Sequence, residues 1–369
     1  MINLRIPGPT PVPPEVLEAN ARPMINHRGR EFAAILDRVT SRLKEFFLTQ
    51  NDLFILTTSG TGVMEAAVVN TLSPGDRVLV ISIGAFGDRF ANIAKAYGAD
   101  VSRLDYEWGK AADPEDVRRA LAADPAIKAV LVTHNETATG VTNPLEDIAR
   151  VVREFDKLLL VDAVSSLSAI PVRTDDWGLD FVATASQKGW MVPPALGMVS
   201  VGPRAWEAHA KAKMPRFYMD ITAAKDYLGR GQTPWTPAVS VFYALDLALE
   251  MMAQEGLENI FARHRRIGQF VRDGVKSLGL KLFADERFAS DTISAVKVPE
   301  GVDGKALQRL CEDEYDLIIG GGQAKLAGKI FRIGHLGFVS EEDVKSALDV
   351  LAKALPRVGF AVPAAGSGG

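Results

Sequence analysis

Two short apolar runs, each closed by a charged residue, constrain this chain more than any other feature. Within KLLLVDAVSSLSAIPVRTDDWGLDFVATASQKGW, the run 158–161 ends in Asp162 and the run 179–185 ends in Ser186-Gln187-Lys188-Gly189. Each run is too brief for an ordinary helix and long enough for a strand buried on both faces. A carboxylate at the mouth of such a strand lies where ligands bind in open α/β sheets, and it is poorly hydrated unless a cation meets it. The stretch therefore predicts an acid and an amine at the ends of two buried strands.

The segments around it repeat the alternation of strand and helix. Residues 52–57 read as a strand, then Thr58-Ser59-Gly60-Thr61-Gly62 as a turn, then VMEAAVVNTL as a helix. A small, hydroxyl-rich turn at a helix start offers free N–H groups and the positive end of the dipole, which suits an anion. Strands are expected at 77–83, 101–104, 127–133 and 195–201, with a helix at 113–123 and another opened by Gly84-Ala85-Phe86-Gly87. Such alternation predicts a mostly parallel, doubly wound sheet. From about Leu257 the pattern changes to a long charged helix, strands at 280–283, 292–298, 317–319 and 329–333, and helices at 304–313 and 341–354. That second pattern reads as a smaller α+β domain.

A cofactor with a basic ring nitrogen at one end and an aldehyde at the other would satisfy Asp162 and Lys188 together. Pyridoxal 5'-phosphate has both: its aldehyde forms a Schiff base with a lysine, and a carboxylate keeps its ring nitrogen protonated. On LLLVDAVSSL around Asp162, SQKG around Lys188 and RIG from Arg332, the chain resembles the class V branch of the fold type I enzymes that use this cofactor. It is most similar in these motifs to the alanine-glyoxylate and serine-glyoxylate (serine-pyruvate) aminotransferases, over about residues 5–355.

The resemblance implies a large domain with a mostly parallel sheet of the seven-stranded type and a small C-terminal α+β domain. The expected division is an N-terminal arm over the active site at 1–20, the large cofactor-binding domain at 21–255, the small domain at 256–358 and a disordered tail at 359–369. It also implies roles for particular residues. Ser59, Gly60, Thr61 and Gln187 would hold the phosphate; Phe86, where relatives carry tryptophan, would stack on the ring, with Val164 on the opposite face. Thr137 would stand beside the ring oxygen and the Schiff base. Gly8 in the arm and Arg332 would receive the substrate carboxylate, an assignment that suits a two-pronged guanidinium placed in an otherwise apolar strand. Thr236, with Gln232 and Thr233 as neighbouring alternatives in GRGQTPWTPA, would cross to the phosphate of a partner subunit in a homodimer with shared active sites.

The activity expected is transfer of an amino group from a small amino acid, alanine or serine, to a small 2-oxo acid, glyoxylate or pyruvate. A lyase or another class V reaction on the same cofactor is the alternative, and a cofactor-free scaffold is a further one. Cysteine desulfurases need a mobile nucleophilic cysteine, whereas the single cysteine, Cys311, falls in the apolar phase of ALQRLCEDEY. One cysteine also precludes an internal disulfide and favours a cytoplasmic address. His134 and Glu136 lack a second cluster of ligands, so no metal is expected and both read as supporting structure. A net charge of −4 gives no sign of a nucleic-acid surface. No stretch approaches the roughly 20 apolar residues of a membrane span.

Overall fold

The computed structural model describes residues 2–363. A first strand β1 (Asn3–Arg5) and the proline-rich arm lead into α1 (Pro14–Asn20) and α2 (Arg30–Phe47). Along α2, Phe32, Ile35, Leu36, Val39, Leu43 and Phe46 are buried on one face, as their helical spacing requires, and Phe47 joins them.

Strands and helices then alternate through β2 (Asp52–Thr57), α3 (Gly60–Thr71), β3 (Arg77–Ser82), α4 (Ala85–Ala96), β4 (Asp100–Asp105), α5 (Pro114–Ala123) and β5 (Ala129–Thr133). Two-residue strands β6 (Asn135–Glu136) and β7 (Val141–Thr142) precede α6 (Leu145–Glu154), β8 (Leu158–Asp162), β9 (Phe181–Ala185) and β10 (Leu196–Val201). The seven longer strands from β2 to β10 make one sheet in the order β2-β10-β9-β8-β5-β3-β4, with β10 antiparallel to both neighbours. Along β8, Leu159 and Val161 enter the core on one face while Leu158 and Leu160 enter the core on the other. Burial on both faces is the reason this strand reads as an unbroken apolar run.

After β10 come α7 (Pro203–His209), α8 (Ile221–Leu228), α9 (Val239–Glu255) and α10 (Leu257–Ser277). Gly256 turns the chain between the last two with a φ of 84°, a left-handed conformation that glycine adopts without strain. The smaller sheet contains β11 (Ile293–Lys297), β12 (Leu317–Gly321) and β13 (Ile330–Gly334) in the order β1-β12-β13-β11, packed with α11 (Gly304–Tyr315) and α12 (Glu341–Arg357). The first strand of the chain thus pairs in parallel with β12, as the edge strand of the smaller sheet.

Residues 280–283 do not form the strand expected of them. Leu282 makes an isolated bridge to Val296, flanked by Phe283 N–H to Ala295 O and Lys297 N–H to Lys281 O at 2.8 Å each. A short 3-10 turn, Glu286–Phe288, leads the chain away before a ladder can extend. Of the tail expected to be disordered, residues 364–369 lie outside the described residues, while Phe360 and Val362 pack against the small-domain core. Among the described residues no helix is long and apolar enough to cross a membrane.

Candidate active site

The carboxyl ends of β5, β8 and β9 lie side by side, because these strands are parallel neighbours with Thr133 opposite Asp162. Asp162, 3% exposed, closes β8. Its Oδ2 accepts from Thr133 Oγ1 and its Oδ1 from Val164 N–H, both at 3.0 Å. Burial pushes this carboxyl up from its ordinary value; the two hydrogen bonds and the charges of Lys188 and Arg89 oppose that shift.

Lys188 stands in the loop after β9 and is 9% exposed. Its Nζ donates to the carbonyl of Pro7 at 2.7 Å. Burial, reinforced by the nearby charges of Arg332 and Arg89 and opposed by Asp162, lowers the amine to about 8. The loop is locked from beneath by Trp190, fully buried between Phe46 and Phe47, whose Nε1 donates to Thr184 Oγ1 at 3.1 Å. From above, the arm is bonded to it by Thr10 N–H to Gln187 O at 3.1 Å and Thr10 Oγ1 to Lys188 O at 3.0 Å. Gly8 sits so close that a Cβ there would lie 2.6 Å from Lys188 Nζ, and its φ is 141°. Only glycine meets both conditions.

Arg332, 5% exposed, comes from β13 of the small domain. Its Nε donates to Gly321 O at 2.8 Å and its Nη1 to Thr137 O at 3.0 Å, which fixes the guanidinium plane and leaves further N–H groups of the fork unassigned. Burial lowers it to about 10. Thr137 is held in turn by Oγ1 to Ser165 Oγ at 3.0 Å. Ser165 lies three residues beyond Asp162 and belongs to a buried network with Asn135 and Thr292.

The Ser59–Thr61 turn caps α3: Ser59 Oγ accepts from Gly62 N–H at 3.4 Å. A Cβ on Gly60 would meet Val164 at 3.1 Å and Ala185 at 3.6 Å, so the turn lies against the ends of β8 and β9. Gln187 Oε1 is shielded from solvent and has no hydrogen-bond partner among the described residues. A shielded amide oxygen is an acceptor still short of a donor, so Gln187 keeps hydrogen-bonding capacity that none of the described residues uses. Phe86 is half-buried at the start of α4. Contacts join Gly8 to Lys188, Gly60 to Val164, Val164 to Asp162 and Thr137 to Arg332 in one connected set. The charges of Asp162 and Arg332 both act on Lys188, Ser59 and Thr61 flank Gly60, Gln187 precedes the lysine and Phe86 stands in the first turn of α4. Thr236 is not part of this set within the same chain: it is exposed on the loop between α8 and α9. Of its neighbours, Thr233 is buried with Oγ1 donating to Trp235 O, and Gln232 is held by Arg28.

Residues 2–344 match the family model described as aminotransferase class-V. The chain belongs to this family. Its members work with pyridoxal phosphate, and a buried amine at Lys188 with a buried carboxylate at Asp162 fits the aldehyde and the basic ring nitrogen of that group. This class-V aminotransferase is 41% identical to an L-aspartate–glyoxylate aminotransferase of Paracoccus denitrificans, covering 91% of this chain and 86% of the relative. It is 46% identical to a protein of Synechococcus named soluble hydrogenase, small subunit, over 97% of this chain and 94% of the other. Among solved structures, an alanine–glyoxylate aminotransferase of Nostoc superposes with a TM-score of 0.93 at 34% identity, covering 96% and 95% of the two chains. The enzyme is therefore a transaminase by family, with the fold type I architecture.

Glu136, read from the sequence as supporting structure, holds the start of α4 in place. Glu136, fully buried, accepts from Phe86 N–H at 2.9 Å, Gly87 N–H at 3.1 Å and Ala138 N–H at 3.0 Å. It caps α4 from another part of the chain, where the helix has no capping side chain of its own. Burial raises it to about 7 against these bonds. Thr133 and Ser165 were missed because lone hydroxyls carry no spacing signal, and Arg89 because it follows Phe86 without forming a motif.

Proposed function

We propose that this enzyme moves an amino group from a small amino acid, alanine or serine, to a small 2-oxo acid, glyoxylate or pyruvate. The observation that carries the reading is that Lys188, Asp162 and Arg332 are all buried and near enough for the acid and the arginine to act in opposite directions on the amine. Glyoxylate is supported as acceptor because relatives with different donors are both named for it.

Pyridoxal phosphate supplies the electron sink for negative charge at the donor Cα. Lys188 Nζ would hold the cofactor, and its amine, once free, would be the base placed to take the proton from the donor Cα. Its lowered pKa keeps an appreciable neutral fraction near pH 8 for that step. Asp162, fixed by Thr133 and Val164, would set its charge against the ring nitrogen. Phe86 and Val164 would hold the ring, Thr137 would serve its oxygen, and Ser59, Gly60, Thr61 and Gln187 would hold the phosphate. Arg332, pinned at Nε and Nη1, offers its remaining N–H groups to the substrate carboxylate, with the backbone at Gly8 closing the same side. Thr236 serves the phosphate of a second subunit, so the working unit is a homodimer.

The test is the visible spectrum of the purified protein with added cofactor, before and after borohydride, and in Lys188→Ala. Alanine, serine and aspartate are then added singly with glyoxylate or pyruvate. A borohydride-sensitive band absent from the variant, consumed by alanine or serine, is expected. A band that no amino acid consumes would favour lyase chemistry.

A further inference from the structure

Arg89 lies on α4, three residues after Phe86, and its side chain is exposed. Its Cζ stands 4.6 Å over the centroid of the Phe86 ring, and its Nη1 donates to Thr61 Oγ1 at 3.1 Å. The guanidinium thus spans from the aromatic on one side of the cleft to the Ser59–Thr61 turn on the other. The preceding acid, Asp88, is taken by Arg103. Among the described residues no carboxylate lies within 4.0 Å of Arg89. A planar cation held at an N-terminal turn, with the field of Asp162 near it but no carboxylate in contact, keeps N–H groups for an anion that arrives there.

We infer that Arg89 is a ligand of the cofactor's phosphate, gripping it from α4 while the N–H groups of α3 grip it from below, and that its contact with Phe86 ties the ring-stacking residue to the same anchor. The inference rests on reading the Ser59–Thr61 turn as the phosphate cup. Thr61 Oγ1 then has two partners, Arg89 and a phosphate oxygen, and the fork keeps N–H groups for that oxygen. Because the guanidinium lies over Phe86, ordering the phosphate end also restrains the aromatic ring.

The experiment titrates the cofactor-free enzyme, wild type and Arg89→Gln and Arg89→Lys variants, with pyridoxal phosphate and in parallel with pyridoxal, which has the aldehyde and ring but no phosphate. Binding is read from the borohydride-sensitive lysine-linked band and from quenching of tryptophan fluorescence. Arg89→Gln is expected to bind pyridoxal phosphate about ten- to a hundredfold more weakly. It should leave pyridoxal affinity within about twofold, with Arg89→Lys between, and competition by inorganic phosphate should weaken in the same order. Equal losses for both aldehydes would overturn the inference, since Arg89 would then act only through Phe86. Unchanged affinity for both, with a raised KM for aspartate but not alanine, would overturn it in favour of a site for a donor's distal carboxylate. If wild-type protein forms no lysine-linked band with either aldehyde, the fault lies in the underlying cofactor reading, and the thermal melt of each variant separates either result from misfolding.

Discussion

Lys188 Nζ donates a 2.7 Å hydrogen bond to the carbonyl of Pro7, so the amine at the end of the large sheet is held by an arm that begins in the small sheet. Arg332 crosses the same boundary in the other direction by donating to Thr137. The amine and the arginine are therefore placed by contacts between the two domains, and a change in their relative position would move both.

Gly8→Ala places a methyl 2.6 Å from Lys188 Nζ, at a φ that side chains avoid. The lysine or the arm must shift, and a displacement of about 1 Å in reacting groups costs on the order of 100-fold. The expected outcome is that loss in kcat/KM with a melting temperature close to wild type. Undiminished turnover would show that the arm is free of the amine.

Asp162→Asn keeps the size and one acceptor for Val164 N–H, places a donor toward Thr133 Oγ1, and removes the charge. The lysine-linked band should still form, while single-turnover conversion of the donor slows by about 10²–10³-fold. A variant with wild-type turnover would remove Asp162 from the ring nitrogen.

Attachment of an aldehyde to Lys188 requires the neutral amine. With a folded pKa of about 8 instead of the ordinary 10.5, the attachment rate in cofactor-free protein should rise with pH and level off above about 8. Arg332→Leu removes a positive charge that favours the neutral form, so its inflection should lie at higher pH. An inflection near 10.5 in both proteins would place Lys188 in water.

Glu136 is raised to about 7, above the carboxyl value of the unfolded chain. A raised folded pKa gives stability that is complete below the unfolded value and lost as pH rises through the folded one. Chemical denaturation should therefore show the wild type losing up to about 3 kcal/mol between pH 4.5 and 7 relative to Glu136→Gln, whose side chain does not ionise. Parallel pH profiles for the two proteins would mean that Glu136 is ionised normally in the fold.

If Thr236 completes a partner's site, cofactor retention should depend on protein concentration. Sedimentation and absorbance on serial dilution are expected to show the cofactor leaving as dimers dissociate, with Thr236→Val releasing it at about tenfold higher concentration. A monomer that retains cofactor would end the shared-site reading.

The sequence by itself determined the alternating architecture and most of the cleft. Leu158–Asp162 is apolar because both faces of β8 are buried, and a charge ending such a run must be met by something, so Asp162, Lys188 and Arg332 stood out singly. The small hydroxyl-rich turn at Ser59–Thr61 was legible for the same local reason. Tertiary structure alone decided which groups meet. Glu136 caps α4 from a different segment, Thr10 and Pro7 clamp a lysine far along the chain, and β1 pairs with β12 near the other end. These bonds satisfy buried polar groups whose partners have no fixed sequence separation, so periodicity and motif spacing carry no trace of them.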